Sequence, residues 1–136
     1  MSEKLEVKII TPEGRKYEGE AGEILAPGNK GQFGILPEHT EFLTRNVPGL
    51  VSIYNGHETF HFSVGRGMIE VSNNKVLILV DTAEKASEID TKRAEKKFAD
   101  VSEKLEAGTF ALNDPEYLDL LWAQKRAEAR LETSKR

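Results

Sequence analysis

A chain of 136 residues, 38% hydrophobic and 31% charged, has the size of one domain with room for a small appendage, and enough apolar material for a single core. Its 19 basic and 23 acidic residues give a formal charge of −4, so no overall field attracts a polyanion, and nucleic-acid binding is set aside. The absence of cysteine excludes a disulfide framework, a thiolate metal site and a cysteine nucleophile, and His39, His57 and His61 lack the spacing of a metal motif.

The opening Met1-Ser2-Glu3-Lys4 lacks the basic, apolar and small-residue zones of a secretory signal and reads as the start of the mature chain. From Lys4 to roughly Asp81 the hydrophobic pattern has a period of two, punctuated by glycine and proline, as half-buried strands and tight turns do. Leu5, Val7 and Ile9 share one face of the first strand, and Glu6 and Lys8 the other. Asn55-Gly56, between Leu50–Tyr54 and Glu58–Phe62, reads as a type I′ hairpin turn. A second hairpin is expected around Ser72-Asn73-Asn74-Lys75, between Met68–Val71 and Val76–Val80. Val76–Val80 is also the longest apolar run, far short of the roughly 20 residues a spanning helix needs. No direct membrane insertion is expected, and membrane association would go through protein partners. Many short strands imply an antiparallel sandwich or barrel.

After Asp81 the composition turns to Ala, Glu, Lys and Arg. Ala94, Phe98, Val101 and Leu105 form one helical stripe, with Ser87 or Asp90 as cap and Gly108 as stop. A second helix starts at Asn113-Asp114-Pro115, with Asp114 as cap and Pro115 in the first turn. Its stripe is Leu120, Ala123, Ala127 and Leu131, widened at the start by Tyr117, Leu121 and Trp122. Two such helices with a short connection form an antiparallel hairpin. Its tip is acidic: Asp100, Glu103, Glu106, Asp114, Glu116 and Asp119 stand against Lys104 alone. The end is basic, with Lys125, Arg126, Arg130, Lys135 and Arg136 against Glu128 and Glu132.

No catalytic set is visible. The chain has no phosphate loop of the G-x-x-x-x-G-K-[ST] type, no His-Glu-x-x-His and no G-x-S-x-G elbow. Val64-Gly65-Arg66-Gly67 precedes no helical pattern, and turn geometry explains its glycines.

These residues resemble the epsilon subunit of bacterial F-type ATP synthases over nearly the whole length. Val7-Lys8-Ile9-Ile10-Thr11-Pro12-Glu13-Gly14 is similar to that family's first strand and turn, and Gly31-Gln32-Phe33-Gly34-Ile35-Leu36-Pro37-Glu38-His39 to its G-x-x-G-I-x-P-x-H segment. Gly67–Val71, Val80-Asp81-Thr82-Ala83-Glu84 and the I-D-x-x-R-A segment Ile89–Ala94 follow in the family's order. The resemblance implies an all-β N-terminal domain, a ten-stranded antiparallel sandwich over 1–86 that binds the gamma subunit and the ring of c subunits. It implies that 87–136 form a regulatory two-helix hairpin that inhibits ATP hydrolysis. It further implies a non-catalytic rotor subunit of the central stalk, peripheral on the cytoplasmic face of the bacterial inner membrane.

By the same resemblance Gly31, Gln32, Phe33 and His39 would contact ring and gamma, with turns at Gly31 and Gly34. An ordinary turn between strands explains the same residues, and Gln32 stands where relatives often carry an acid. Ile89, Asp90, Arg93 and Ala94 would sense ATP as a regulatory ligand, no cofactor being required. That makes a nucleotide-clamping module the alternative reading. A helix cap at Asp90 and a surface role for Arg93 account for those residues more simply, and Asp100 occupies the place of a second arginine in ATP-binding relatives. Lys125, Arg126 and Arg130 would meet an acidic segment of the catalytic beta subunit in the inhibitory state, or form a solvated face near a helix C-terminus.

Overall fold

The computed structural model describes residues 4–111 and 113–136. Residues 1–3, which include the start of the expected first domain, lie outside the described residues. Ten strands come first: β1 (Leu5–Thr11), β2 (Gly14–Ala21), β3 (Glu23–Gly28), β4 (Gly31–Ile35), β5 (Phe42–Asn46), β6 (Gly49–Asn55), β7 (Glu58–Val64), β8 (Gly67–Ser72), β9 (Lys75–Val80) and β10 (Ala83–Lys85). A 3₁₀ turn (Ala86–Glu88) leads to helices α1 (Thr91–Ala107) and α2 (Pro115–Ser134).

The strands form one hydrogen-bonded path, β10-β7-β6-β3-β5-β8-β9-β1-β2, with β4 attached to β3. The path curls over a single core, because alternation places Leu5, Val7 and Ile9 of β1 inside with Ile24, Ile53, Phe62, Ile69 and Ile78. Near the ends of the path Tyr17 of β2 meets Phe60 and Phe62 of β7, ring centroids 5.4 and 5.6 Å apart, and this draws the sandwich nearly closed. One pairing departs from the antiparallel expectation. β1 lies parallel to β9, Val7 beside Val76 and Ile9 beside Ile78, a pairing reachable only because the long stretch β2–β8 intervenes as crossover.

Two turns also differ from their sequence reading. Asn55 pairs with Glu58, so the two-residue loop is Gly56-His57, and only Gly56 has positive φ, +63°. Glycine in the first central position suits a II′ turn, not I′. The I′ geometry belongs to the other hairpin, where Asn73 and Asn74 have φ of 51° and 59° between paired Ser72 and Lys75. Gly65 and Gly67 do owe their identity to geometry: an added Cβ would overlap the Asp81 carboxylate at one and the Leu79 carbonyl at the other.

Both helix starts follow their caps. Asp90 accepts from the Arg93 amide at 3.1 Å and Asp114 from the Glu116 amide at 2.9 Å, each satisfying a donor the first turn leaves open. Ser87 lies in the 3₁₀ turn and is not the cap. Gly108 ends α1 with φ of −89°, and there a side chain would collide with Phe110, whose ring stacks on Tyr117. The helices pack antiparallel, Gln124 donating to Ser102 at 3.0 Å, with Ala94, Val101 and Ala127 buried. Ala129 and Thr133 are also buried. Ala129 is two positions, or about 200°, round from Ala127, so α2 has a second covered face, which packs on β6 and β7.

Candidate functional site

The strands under α2 are buried on both sides. Val51, Ile53 and Phe62 enter the sandwich core, so alternation turns Leu50, Ser52, His61 and Ser63 outward, and Leu50, Ser52 and Ser63 are nonetheless buried beneath α2. The helix meets this face with small or polar residues. Thr133 hands its hydroxyl proton back to the Ala129 carbonyl at 2.7 Å, leaving a methyl to pack. At the margins Arg130 donates to Glu84 of β10 at 3.0 Å, and the Arg66 guanidinium lies over the Trp122 ring, 4.4 Å from its centroid.

Beside the Arg130–Glu84 pair runs a cleft of about 240 Å³, whose charged lining is Lys16, Arg126 and Arg130 against Glu13, Glu84 and Glu88. Three bases facing three acids leave no excess positive charge for phosphate. None of Ile89, Asp90, Arg93 or Ala94 lines it: Asp90 is spent on its cap, Ala94 is buried and Arg93 is exposed on α1. The structure therefore does not bring the I-D-x-x-R-A residues together with the α2 arginines. Nor do Lys125, Arg126 and Arg130 form one free basic face. Lys125 is exposed, whereas Arg126 and Arg130 turn toward the sandwich.

At the other predicted site, Gly31 to Ile35 is a strand, β4, rather than a loop, because it completes a hairpin with β3 across the turn 29–30. Gly31 has φ of +112°, open to glycine and strained for other residues. Gly34 has no such conformation and is not required by a turn. Phe33 and His39 converge on Phe42, centroids 5.8 and 5.2 Å away. His39 Nδ1 lies 2.8 Å from the Thr40 carbonyl, Gln32 is exposed, and so is Leu36 beside them.

Sequence reasoning missed a second feature of that side. On the outer face of β5-β8-β9-β1, Leu43, Met68 and Leu79 are 59, 41 and 43% exposed. The register aligns Arg45, Met68, Leu79 and Ile10 in one row and Leu43, Glu70, Leu77 and Lys8 in the next, which makes an apolar strip bordered by charge. The signal was present in Val76-Leu77-Ile78-Leu79-Val80, apolar at every position, as a strand covered on both faces reads.

The family model of the ATP synthase delta/epsilon chain, beta-sandwich domain, matches residues 4–86. The chain belongs to this family. Relatives of the ATP synthase epsilon group include ATP synthase epsilon chain 2 of Syntrophotalea carbinolica, 37% identical over 136 residues, 100% of this chain and 97% of that one. The ATP synthase epsilon chain of Geotalea daltonii is 42% identical over 105 residues, 77% of this chain and 76% of the other. Among solved structures, a chain of the Euglena gracilis mitochondrial ATP synthase OSCP/F1/c-ring assembly superposes with TM-score 0.80 at 18% identity, covering 98% of this chain and 82% of that one. One from the Tetrahymena thermophila ATP synthase central stalk and c-ring gives 0.58 at 19%, covering 98% and 96%. At such identities the structures establish the fold, and the epsilon resemblance read from the motifs rests on the curated relatives.

Proposed function

We infer that this protein is the epsilon-type subunit of a bacterial F-type ATP synthase, a non-catalytic rotor component whose sandwich joins the gamma subunit and the c ring. The apolar strip Leu43, Met68, Leu79 with Ile10 supports a permanent protein interface, since such a strip is costly to leave in water. The aromatic group Phe33, His39 and Phe42 at the β4 end supplies a second contact. Peripheral attachment at the cytoplasmic face of the inner membrane follows from such partners. Among the described residues no helix is long and apolar enough to cross a bilayer.

The hairpin is the regulatory part. One observation carries this reading: the residues that would meet the catalytic beta subunit, Arg126 and Arg130, are turned into the helix–sandwich cleft, so docking and inhibition compete for the same side chains. Holding the hairpin down engages and partly covers them, and releasing it frees them. The test is reconstitution of F1 with the full chain or with a chain ending at Ala86. The short form should assemble with gamma and leave ATP hydrolysis unrestrained, and equal inhibition by both forms would refute a regulatory hairpin.

A further inference from the structure

Beneath the C-terminal end of α2 lies another cleft, of about 340 Å³, whose titratable and charged lining consists of His61, Lys85 and Arg136, joined by Ser87 and Ser134. Among the described residues no Asp or Glu side chain lines it. Each element packed there contributes. From β6 the buried Ser52 hydroxyl lies 2.8 Å from His61 Nδ1, and the Tyr54 ring stands edge-on, 6.4 Å away. β10 presents Lys85. The residues just after α2 present Arg136, whose own carboxylate partner, Glu132 of α2, lies 3.7 Å off. The 3₁₀ turn directs its acid, Glu88, into the neighbouring cleft.

We propose that His61 is a pH-sensitive contact that loosens the helical hairpin from the sandwich on acidification. The proposal rests on the reading of the hairpin as releasable. An imidazolium here adds a third positive charge to a cleft that already holds two. Release removes Arg136 and lets water reach the ring, so the proton is bound more readily in the released form. Burial, and after it the Arg136 guanidinium, hold the docked imidazole below its ordinary value. The partial negative charge at the α2 C-terminus acts in the opposite sense. The sign follows. Above about pH 6.5 the ring is neutral in both forms and docking is insensitive to pH, whereas below it the released form takes the proton first and docking weakens.

The experiment uses the full chain. By NMR, His61 should titrate below the ordinary histidine value of about 6.5, and Arg136→Gln, a change outside the sandwich, should raise it. Hydrogen-exchange protection of α2 amides, referred to amides of the sandwich core, should fall at least about threefold between about pH 7.5 and about pH 5.5 in the wild type, and should not fall in His61→Asn. His61 titrating at or above about 6.5 would overturn the proposal. So would an equal loss of protection in His61→Asn. If α2 exchanges only together with the sandwich core at every pH, the releasable hairpin itself falls, and the proposal falls with it. A low-titrating His61 with protection that does not change removes the pH coupling alone.

Discussion

Two interfaces in this molecule bury comparable elements by opposite means. Inside the sandwich, Ile9, Ile24, Ile53, Phe62, Ile69 and Ile78 interdigitate with no exposure beyond 1%, each side chain contributing about 1.5–3 kcal/mol by leaving water. Between α2 and the sandwich the buried groups are Ala129, Thr133, Ser52, Ser63 and one large apolar side chain, Leu50, fastened at the edge by one ion pair and one cation–π contact. The first interface is costly to open. The second exposes the Leu50 side chain and otherwise small or hydroxyl-bearing groups when it parts, so it has less apolar surface to lose than the core, and its hydroxyls are readily hydrated.

The difference can be attacked from either side, beginning with the largest effect. Ile78→Ala should cost the whole domain about 2–5 kcal/mol, seen as a lower denaturation midpoint by circular dichroism with α and β signals lost together. Ala129→Leu places a larger side chain where α2 meets β6 and β7. It should weaken docking by about 1–3 kcal/mol while leaving the sandwich's own midpoint unchanged, and Trp122 emission should shift to the red as the indole leaves Arg66. Arg66→Ala should shift that emission in the same direction at a cost near 0.5–1 kcal/mol. Smallest is Glu84→Gln. Arg130 and Glu84 are 40 and 35% exposed, so the loss should stay under about 1 kcal/mol and shrink further in high salt. A midpoint drop as large as that of Ile78→Ala in any interface variant would erase the distinction between the two.

The sequence showed the first interface clearly and the second hardly at all. Strict alternation in Leu5–Ile9 and the paired asparagines at 73 and 74 each have one local reading, and Asp114 marks the start of α2, whereas the start of α1 stays open between Ser87 and Asp90 until the cap at Asp90 is seen. The parallel pairing of β1 with β9 joins residues about seventy positions apart, and no local pattern encodes it. β4 was hidden because Gly31-Gln32-Phe33-Gly34 is glycine-rich and short, which reads as a turn until β3 is seen beside it. The second face of α2 was missed for a physical reason. Alanine and threonine suit any helix face, Trp122 reads as a widening of the stripe toward α1, and Arg126 and Arg130 read as surface residues until a partner strand is placed against them. Leu120, Ala123, Ala127 and Leu131 described only the side turned to α1. The expected contact residues were legible as segments, whereas their grouping around Phe42 and the strip through Met68 and Leu79 depend on strand register.

The parallel seam also sets the order of assembly. β1 sits between β2 and β9, so its hairpin with β2 can form as soon as both emerge from the ribosome, but its other edge stays unpaired until residues near 80 have been made. The earliest strand synthesised is thus among the last to be fully enclosed. Closing so long a loop adds entropic cost and slows folding, and the nascent chain carries an open β edge that invites wrong pairing until β9 arrives.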